Sequence, residues 1–448
     1  MLELHEVPWE SVTECKCFNK VEGLEGFKEN RTINARSDFA KVRYGRMIKS
    51  IEHAVYSTIP EFVKHRPVCD YPTMIEECCD NGIGEVVVAT DYTSFEGHFA
   101  PELIRACEGQ LYKYMVPPRY ANLSREFVDV IAGVNRSTCP MLSFSVQGCR
   151  MSGDMCTSLG NGFTNLMIMK FLCRTMGRSV RGFVEGDDGL FVVGGIPPNA
   201  SQYAELGFRI KIDVWDDPSV ASFCGQVFDR KSKAVVIDPI YVLLSIGWTA
   251  GDQRHGGPNT MRGLLRAKAI SLAYQAPSCP IIQNLARKLL SMTTGTRAIT
   301  ETIHGMPDWW DEQVRDGNIT LRPDVELRLN TPATYESRMV VERVFGVAVK
   351  DQLSIERWID SMQIIEPMSN EVVDTYLNEY AIRYASDNTF EFPIGSRFDA
   401  VFDASLDHVT YVDVRGKAWT RRSSVKESCL FVRNCRRVLN VQPAAGDL

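Results

Sequence analysis

The chain has 448 residues, of which 44% are hydrophobic and 24% charged, an ordinary globular composition and not that of a disordered chain. Fifty Lys and Arg stand against 56 Asp and Glu, and the net charge of −6 names no partner by itself, because steering depends on where charges lie. At about 150 residues per domain, the length suits about three units or one large enzyme with subdomains. The longest apolar stretches, Ile240 to Trp248 and Leu166 to Cys173, are about half a membrane span, and the second contains Lys170. Acids at Glu3 and Glu6 stand where a signal peptide needs basic residues. The 14 cysteines are scattered, and the close pairs Cys15/Cys17 and Cys78/Cys79 are too irregular for a zinc knuckle or a disulfide framework. A reducing compartment is the default.

In chain order, a basic region from Lys20 to Lys49 comes first, followed by a helix-like stretch from Tyr44 and a turn-rich, Cys-bearing segment ending at Asn81-Gly82. Glu85 to Thr90 is a β-branched run that reads as a short buried strand. Pro101 opens a helix in which Leu103, Ile104, Cys107, Leu111 and Met115 recur at helical spacing, and Pro117-Pro118 ends it. A long helix is expected after Ser152. Arg181 to Val193 places two apolar strands around Gly186-Asp187-Asp188-Gly189 and predicts a hairpin. A helix over Ala200 to Leu206 and a strand over Phe208 to Val214 follow. Beyond the Gly-rich loop Gly251 to Pro258 the patterns are mostly helical, over Met261 to Tyr274, Ile281 to Met292 and Asn370 to Tyr384. The fold class is therefore α+β, with a largely helical C-terminal part.

The chemistry centres on carboxylates. Asp91 ends one expected strand, and Asp187-Asp188 sit at the tip of the expected hairpin. As neighbours in one sheet, these three acids would converge at its edge. Mg²⁺ prefers oxygen ligands and is often held by one or two carboxylates plus substrate phosphates. Two such ions about 4 Å apart can activate an attacking hydroxyl and stabilise a leaving oxygen. Between the acids, Ser152-Gly153 stand at a loop-to-helix junction, and Thr157 and Asn161 are four apart on one helix face. A glycine there lets backbone approach a base or ribose, and Thr and Asn offer hydrogen bonds to a sugar hydroxyl. Ser152 reads equally as a helix cap.

In this order the motifs resemble the RNA-dependent RNA polymerases of positive-strand RNA viruses, most of all the tombusvirus-like group. Asp91-Tyr-Thr-Ser-Phe-Glu96 resembles motif A, Ser152-Gly153-x3-Thr157-x3-Asn161 motif B, and Gly186-Asp187-Asp188 motif C. The wording Gly148 to Met155 is close to the tombusvirus-like motif B. Leu206 to Val214 with Lys211 resembles motif D, and Phe223-Cys224-Gly225 motif E. The stretches Phe18 to Glu22 and Lys28 to Ser37 resemble motif F. The resemblance runs from about residue 18 to about residue 230.

It implies a right-hand polymerase: partial fingers over 1–84, an antiparallel-sheet palm of RRM-like type over 85–248 with inserted fingers at about 100–150, and a mostly helical thumb with a basic tail over 249–448. It implies that an RNA 3′-hydroxyl attacks a ribonucleoside triphosphate and expels pyrophosphate, the positioning and charge-stabilising logic of phosphoryl transfer. Asp91 and Asp187 would bind two Mg²⁺ ions, with Mn²⁺ as a substitute, and Asp188 would contribute peripherally. Lys20, Lys28, Arg31 and Arg36 would neutralise the triphosphate, Arg being suited to bidentate phosphate contacts. Glu96, Ser152, Gly153, Thr157 and Asn161 would bind the nucleotide. Lys211 is the candidate general acid for pyrophosphate, with a solvent-facing Lys beside Arg209 as the competing reading. Phe223, Cys224 and Gly225, with Arg262 and Arg266 on one helix face, are candidate RNA contacts.

Two departures stand out. The family usually carries Asp where this chain has Glu96; Glu keeps the acceptor but is one methylene longer. Ribonucleotides remain the expected substrate, since reverse transcriptases place an aromatic residue there. Motif F also lies within the first few dozen residues, so part of the fingers is expected to be missing, shortened or supplied by upstream replicase sequence or other replicase proteins. A membrane anchor would lie in that upstream part, placing RNA synthesis in the host cytoplasm at membrane-associated replication sites. Trp309-Trp310 read as core rather than as a stacking platform. Arg415 to Arg437, with eight Lys/Arg and one Glu, reads as an RNA exit lining or a solvated tail. A reverse transcriptase-like polymerase and a catalytically incomplete RNA-binding subunit are the alternatives.

Overall fold

The computed structural model describes residues 8–20, 31–79, 84–139, 142–246, 257–299, 321–363 and 370–376, and the backbone of Asp399–Asp403, His408–Val412 and Ala418–Arg422. Lys28, Trp309-Trp310, Asn81-Gly82, most of the Gly-rich loop and nearly all of the basic C-terminal segment lie outside the described residues. The described chain forms two compact units. The first takes in residues up to Arg66 and from Thr73 to Phe228; the second takes in Pro67–Pro72 and the chain from Asp229 onward.

In the first unit, α1 (Trp9–Thr13) leads into β1 (Glu14–Asn19), β2 (Thr32–Arg36) and the long helix α2 (Asp38–Thr58). The helix starts six residues before Tyr44 because Ser37 caps it, its hydroxyl accepting from the Ala40 N–H. Its buried stripe Ala40, Tyr44, Ile48, Ile51 and Val55 keeps helical period. The Cys-bearing segment expected as turns is partly a helix, α3 (Tyr71–Cys79), and β3 (Glu85–Tyr92) follows. The helix opened by Pro101 is interrupted at Cys107 (φ −105°, ψ −92°), giving α4 (Pro101–Ala106) and α5 (Glu108–Met115). After α6 (Ala121–Ile131) come β4 (Val134–Cys139), β5 (Leu142–Gln147) and α7 (Thr157–Thr175). The unit closes with β6 (Val180–Glu185), β7 (Asp188–Gly194), α8 (Ala200–Glu205), β8 (Ile210–Trp215), β9 (Ser222–Phe223) and β10 (Gln226–Phe228).

Two four-stranded sheets result. One runs β2-β1-β4-β5, with β1 antiparallel to β2 and parallel to β4. The other runs β6-β7-β3-β8 and is antiparallel throughout. Chain order around the second sheet is strand, helices, two strands, helix, strand, a split β-α-β layout. Its inner strand β7 is buried over Gly189–Val193, which accounts for an unbroken Leu-Phe-Val-Val run where one-sided strands alternate. α7 lies against β6 and β7. It is buried nearly all round, at Leu159, Leu166, Ile168, Met169, Leu172 and Cys173, which is why it carries no clean amphipathic stripe.

In the second unit, the short strand β11 (Val235–Val236) precedes α9 (Pro239–Ser245), α10 (Pro258–Gln275), α11 (Ile282–Met292), α12 (Pro323–Asn330), α13 (Tyr335–Phe345) and α14 (Val349–Ser361). Buried Glu356 on α14 ties this bundle together: it takes both Arg338 Nη atoms at 2.9 Å and the Ile281 N–H at 2.8 Å. The strands β12 (Asp399–Asp403), β13 (His408–Val412) and β14 (Ala418–Arg422) form an antiparallel meander. Asn370–Tyr384 is described only to residue 376, and there it forms a 3-10 turn over Val373–Tyr376. Among the described residues no helix is long and apolar enough to cross a membrane.

Candidate active site

Strand pairing alone gathers the acids. β3 pairs with β7 from Glu85↔Gly194 to Thr90↔Gly189, and one step further along this register sets Asp91 opposite Asp188. On its other side β3 pairs Asp91 with Lys211 of β8. The turn between β6 and β7 is Gly186-Asp187, and Gly186 at φ +61° takes the left-handed conformation that a tight hairpin needs. Gly189 matters for space instead. A Cβ there would lie 2.6 Å from Thr90 Oγ1 and 2.5 Å from the Phe191 ring, so the close approach of β3 requires its absence.

Asp91, Asp187 and Asp188 all keep solvent access. Even so, the Asp188 carboxyl is pushed up to about 6, first by the water its neighbours displace and then by the charges of Asp187, Glu185 and Asp91, with a Cys224 hydrogen bond opposing. Mutual repulsion of this kind is relieved by a cation. Among the described residues no group of three His, Cys, Asp or Glu forms a ready-made metal cage. A donor set of spaced carboxylates suits a hard ion that completes its shell with water and phosphate oxygens.

The turn is braced from α7. Asn165 Nδ2 donates to the Asp187 carbonyl at 2.9 Å, and its Oδ1 accepts from the Tyr92 hydroxyl at 3.3 Å. Both residues are buried. Sequence reasoning passed over Asn165, although Thr157, Asn161 and Asn165 form an i, i+4, i+8 polar line along one face of the helix.

One turn earlier, Asn161 Nδ2 donates to Glu96 Oε1 at 3.1 Å, so the residues singled out in motifs A and B are partners. The Asn161 Oδ1 is buried with no protein partner. Glu96 lies in the 3-10 turn Phe95–His98, entered through Ser94 in the left-handed region (φ 53°). Thr157 closes the preceding loop, its Oγ1 donating to the Met151 carbonyl at 3.1 Å. Ser152 and Gly153 lie against β2: the Asn34 N–H donates to the Ser152 carbonyl at 2.5 Å. A Cβ on Gly153 (φ +88°) would come 2.5 Å from Ile33 Cγ2.

Several residues depart from expectation. Arg36 is 2% exposed; its Nε and Nη2 bind Asp154, and Nη1 donates to Asn135 Oδ1 at 2.5 Å and to the Thr13 carbonyl at 3.4 Å. A guanidinium used up in this way has no fork left for a triphosphate, because the side chain of Arg36 turns into the unit from the edge strand β2 and meets Asp154, Asn135 and Thr13 there. Lys20 and Arg31 are exposed where β1 leaves and β2 enters their ribbon, and there the Lys20 N–H donates to the Arg31 carbonyl at 2.8 Å. Lys211 Nζ is exposed and donates to Asp213 Oδ2 at 2.7 Å. Phe223 is buried (2%) and packs instead of meeting RNA. Cys224 and Gly225, both at positive φ (53° and 71°), make the two-residue turn between β9 and β10. Cys224 Sγ reaches Glu185 Oε2 at 3.8 Å. In the second unit, Arg262 and Arg266 do share a face of α10, but they cap the end of α11. Arg262 donates to the Met292 carbonyl at 3.1 Å, and Arg266 to the Leu290 and Thr293 carbonyls at 3.2 Å each.

Residues 30–194 match the family model described as viral RNA dependent RNA polymerase. The chain is 26% identical over 299 residues to the RNA-directed RNA polymerase of Melon necrotic spot virus, covering 62% of this chain and 37% of that protein. It is 29% identical over 168 residues to that of Carnation mottle virus, covering 35% and 21%. Against that of Tobacco necrosis virus (strain D) it is 22% identical over 382 residues, covering 78% and 49%. The chain thus spans less than half the length of these relatives. The resemblance drawn from the motifs is borne out.

Proposed function

From a segment that matches the viral RNA-dependent RNA polymerases, we propose that this chain carries the palm and part of the fingers of a right-hand polymerase. It performs template-directed RNA synthesis, with the helical second unit as thumb. The observation that carries the reading is the register of β3 on β7, which delivers Asp91 to the Asp187-Asp188 turn. In-line phosphoryl transfer needs carboxylates gathered at such a point.

Asp91 and Asp187 would hold two Mg²⁺ ions, with Asp188 contributing more peripherally. When bound, these ions supply charge neutralisation at the attacking and leaving oxygens. The chain's own residues do the positioning. Asn165 holds the Asp187 main chain, and Glu96 with Asn161 presents a polar edge to the ribose. Asn161 Oδ1 is buried without a protein partner, so a hydroxyl donor that reaches it would satisfy it, which supports ribonucleotides over the deoxynucleotides of a reverse transcriptase. Exposed Lys20 and Arg31 meet the triphosphate. Lys211, beside Asp91 in the sheet, hands a proton to the departing pyrophosphate.

The test is primer extension on an RNA template with Mg²⁺ or Mn²⁺, comparing the chain with Asp187→Ala. The expected result is incorporation lost in the variant while its unfolding transition is kept. Equal incorporation by both proteins removes this catalytic centre.

A further inference from the structure

We propose that the buried ion pair Glu108–Arg150, seated at Gly160, is the positioning device that sets the ribose-reading pair Glu96–Asn161 and so fixes the preference for a 2′-hydroxyl. The inference rests on the function proposed above and deepens it by naming residues that touch neither nucleotide nor metal.

Both side chains of the ion pair are essentially inaccessible, at 1% and 0%. Arg150 Nη2 donates to Glu108 Oε1, Nη1 reaches Cys156 Sγ at 3.0 Å, and the guanidinium lies 4.7 Å from the centre of the Phe99 ring. The Tyr112 hydroxyl, fully buried, donates to Glu108 Oε2 at 2.7 Å. A buried charge pair is weak evidence for net stability, so its location matters more than its strength.

That location is directly behind both members of the reading pair. The Arg150 N–H donates to the Glu96 carbonyl at 3.2 Å, and Cys149 Sγ reaches the same oxygen at 3.4 Å. The main chain of Glu96 is therefore hung from the residue whose side chain is locked to Glu108. On the other side, Gly160 precedes Asn161 on α7, and its missing side chain makes room for the pair. A Cβ there would lie 2.6 Å from Arg150 Nη2 and would collide with Glu108 Oε2. One ion pair thus sets the height of the Glu96 turn and the depth of α7. The distance between Glu96 Oε1 and Asn161 Nδ2, 3.1 Å, is the quantity it governs.

The experiment titrates ATP and 2′-deoxy-ATP against the full chain with primer–template RNA and Mg²⁺, alongside thermal unfolding to match folded fractions. The variants are Arg150→Lys, Glu108→Gln and Gly160→Ala. Gly160→Ala keeps every charge and places a good helix former in a helix interior, so it displaces the pair without breaking it. Arg43→Lys is the control, since Arg43 makes a forked pair of the same kind with Glu126 elsewhere in the unit.

The wild type is expected to prefer ATP about tenfold or more, the worth of one hydrogen bond to a charged group. The three variants should lose most of that preference by weakening ATP while leaving 2′-deoxy-ATP unchanged, and Arg43→Lys should retain it. Equal weakening of both nucleotides, or an unchanged preference in Gly160→Ala, overturns the positioning role. A wild type that binds both nucleotides alike overturns it as well and leaves the polymerase reading standing. A wild type that binds neither overturns that reading, and the inference with it.

Discussion

Replacing Arg36 by Met separates two roles that a basic residue in this region can play. In the structure its guanidinium is paired with Asp154 at 1% exposure on both sides, and it supplies partners to Asn135 and Thr13. Met fills most of the space, so the cost comes from leaving Asp154 charged and alone. Breaking a buried pair in this way costs about 3–5 kcal/mol. In a unit of about 200 residues each kcal/mol lowers Tm by about 2–4 °C, so the transition should fall by about 6–20 °C. Thermal or urea unfolding followed by tryptophan fluorescence measures it, with Trp9 and Trp215 as reporters in this unit. Arg36→Met/Asp154→Leu supplies the internal check. A well-packed apolar pair often matches or exceeds a buried salt bridge, so the double variant should regain most of the loss. A stable Arg36→Met chain that binds ATP at least tenfold more weakly would refute this reasoning and return Arg36 to the triphosphate.

Asn165→Ala should slow incorporation with little change in KM, because it frees the Asp187 carbonyl but leaves the nucleotide contacts; it should also lower stability by about 1 kcal/mol through the lost buried hydrogen bonds to the Asp187 carbonyl and the Tyr92 hydroxyl. Gly189→Ala should lower stability more than Gly186→Ala. The first forces a Cβ against Thr90 and Phe191, whereas the second meets only the left-handed φ penalty of about 1–2 kcal/mol. Arg266→Ala should destabilise the second unit by uncapping α11 yet leave the salt dependence of RNA binding unchanged; a slope lower by about one would mark a phosphate contact instead.

What the sequence made legible was local. A β-branched run, two apolar stretches and the Gly-Asp-Asp-Gly turn between them each act over a few residues, and they sufficed for β3, β6 and β7 and for the meeting of their acids. The cap at Ser37 was equally local, and with it the early start of α2 becomes readable. Arg36 and Asp154 lie 118 residues apart, and Arg150 and Glu108 42 apart; nothing in the neighbourhood of either pair tells a buried cation from a solvated one. A basic segment reports charge, and only the sheet β2-β1-β4-β5 decides that Arg36 faces inward while Lys20 and Arg31 do not. For Arg262 and Arg266 the helical spacing correctly predicted a shared face, but α11 occupies it. α3 escaped because nine residues rich in Cys and opened by Tyr-Pro carry too few periodic positions to register.

The longer acid of motif A gives the sharpest link between the sequence and the chemistry. A glutamate there raises the question of whether the extra methylene misplaces the carboxylate. In the structure the longer side chain finds its partner: from the turn at Phe95–His98, Glu96 Oε1 accepts from Asn161 Nδ2 at 3.1 Å. The Glu96 main chain is held by the Arg150 N–H at 3.2 Å, so the turn is not expected to follow a shortened side chain. Glu96→Asp withdraws the carboxylate by about 1.5 Å, one carbon–carbon bond, and opens the 3.1 Å hydrogen bond beyond reach. A buried amide donor is then left unmatched at about 1–3 kcal/mol. Because Asn161 also carries the unpartnered Oδ1, the effect should appear as weaker discrimination between ATP and 2′-deoxy-ATP, about 5- to 150-fold, with the maximal rate changing less. An Asp variant that discriminates as well as the wild type would mean that the turn moves freely, and the main-chain tether to Arg150 would then have no bearing on sugar choice.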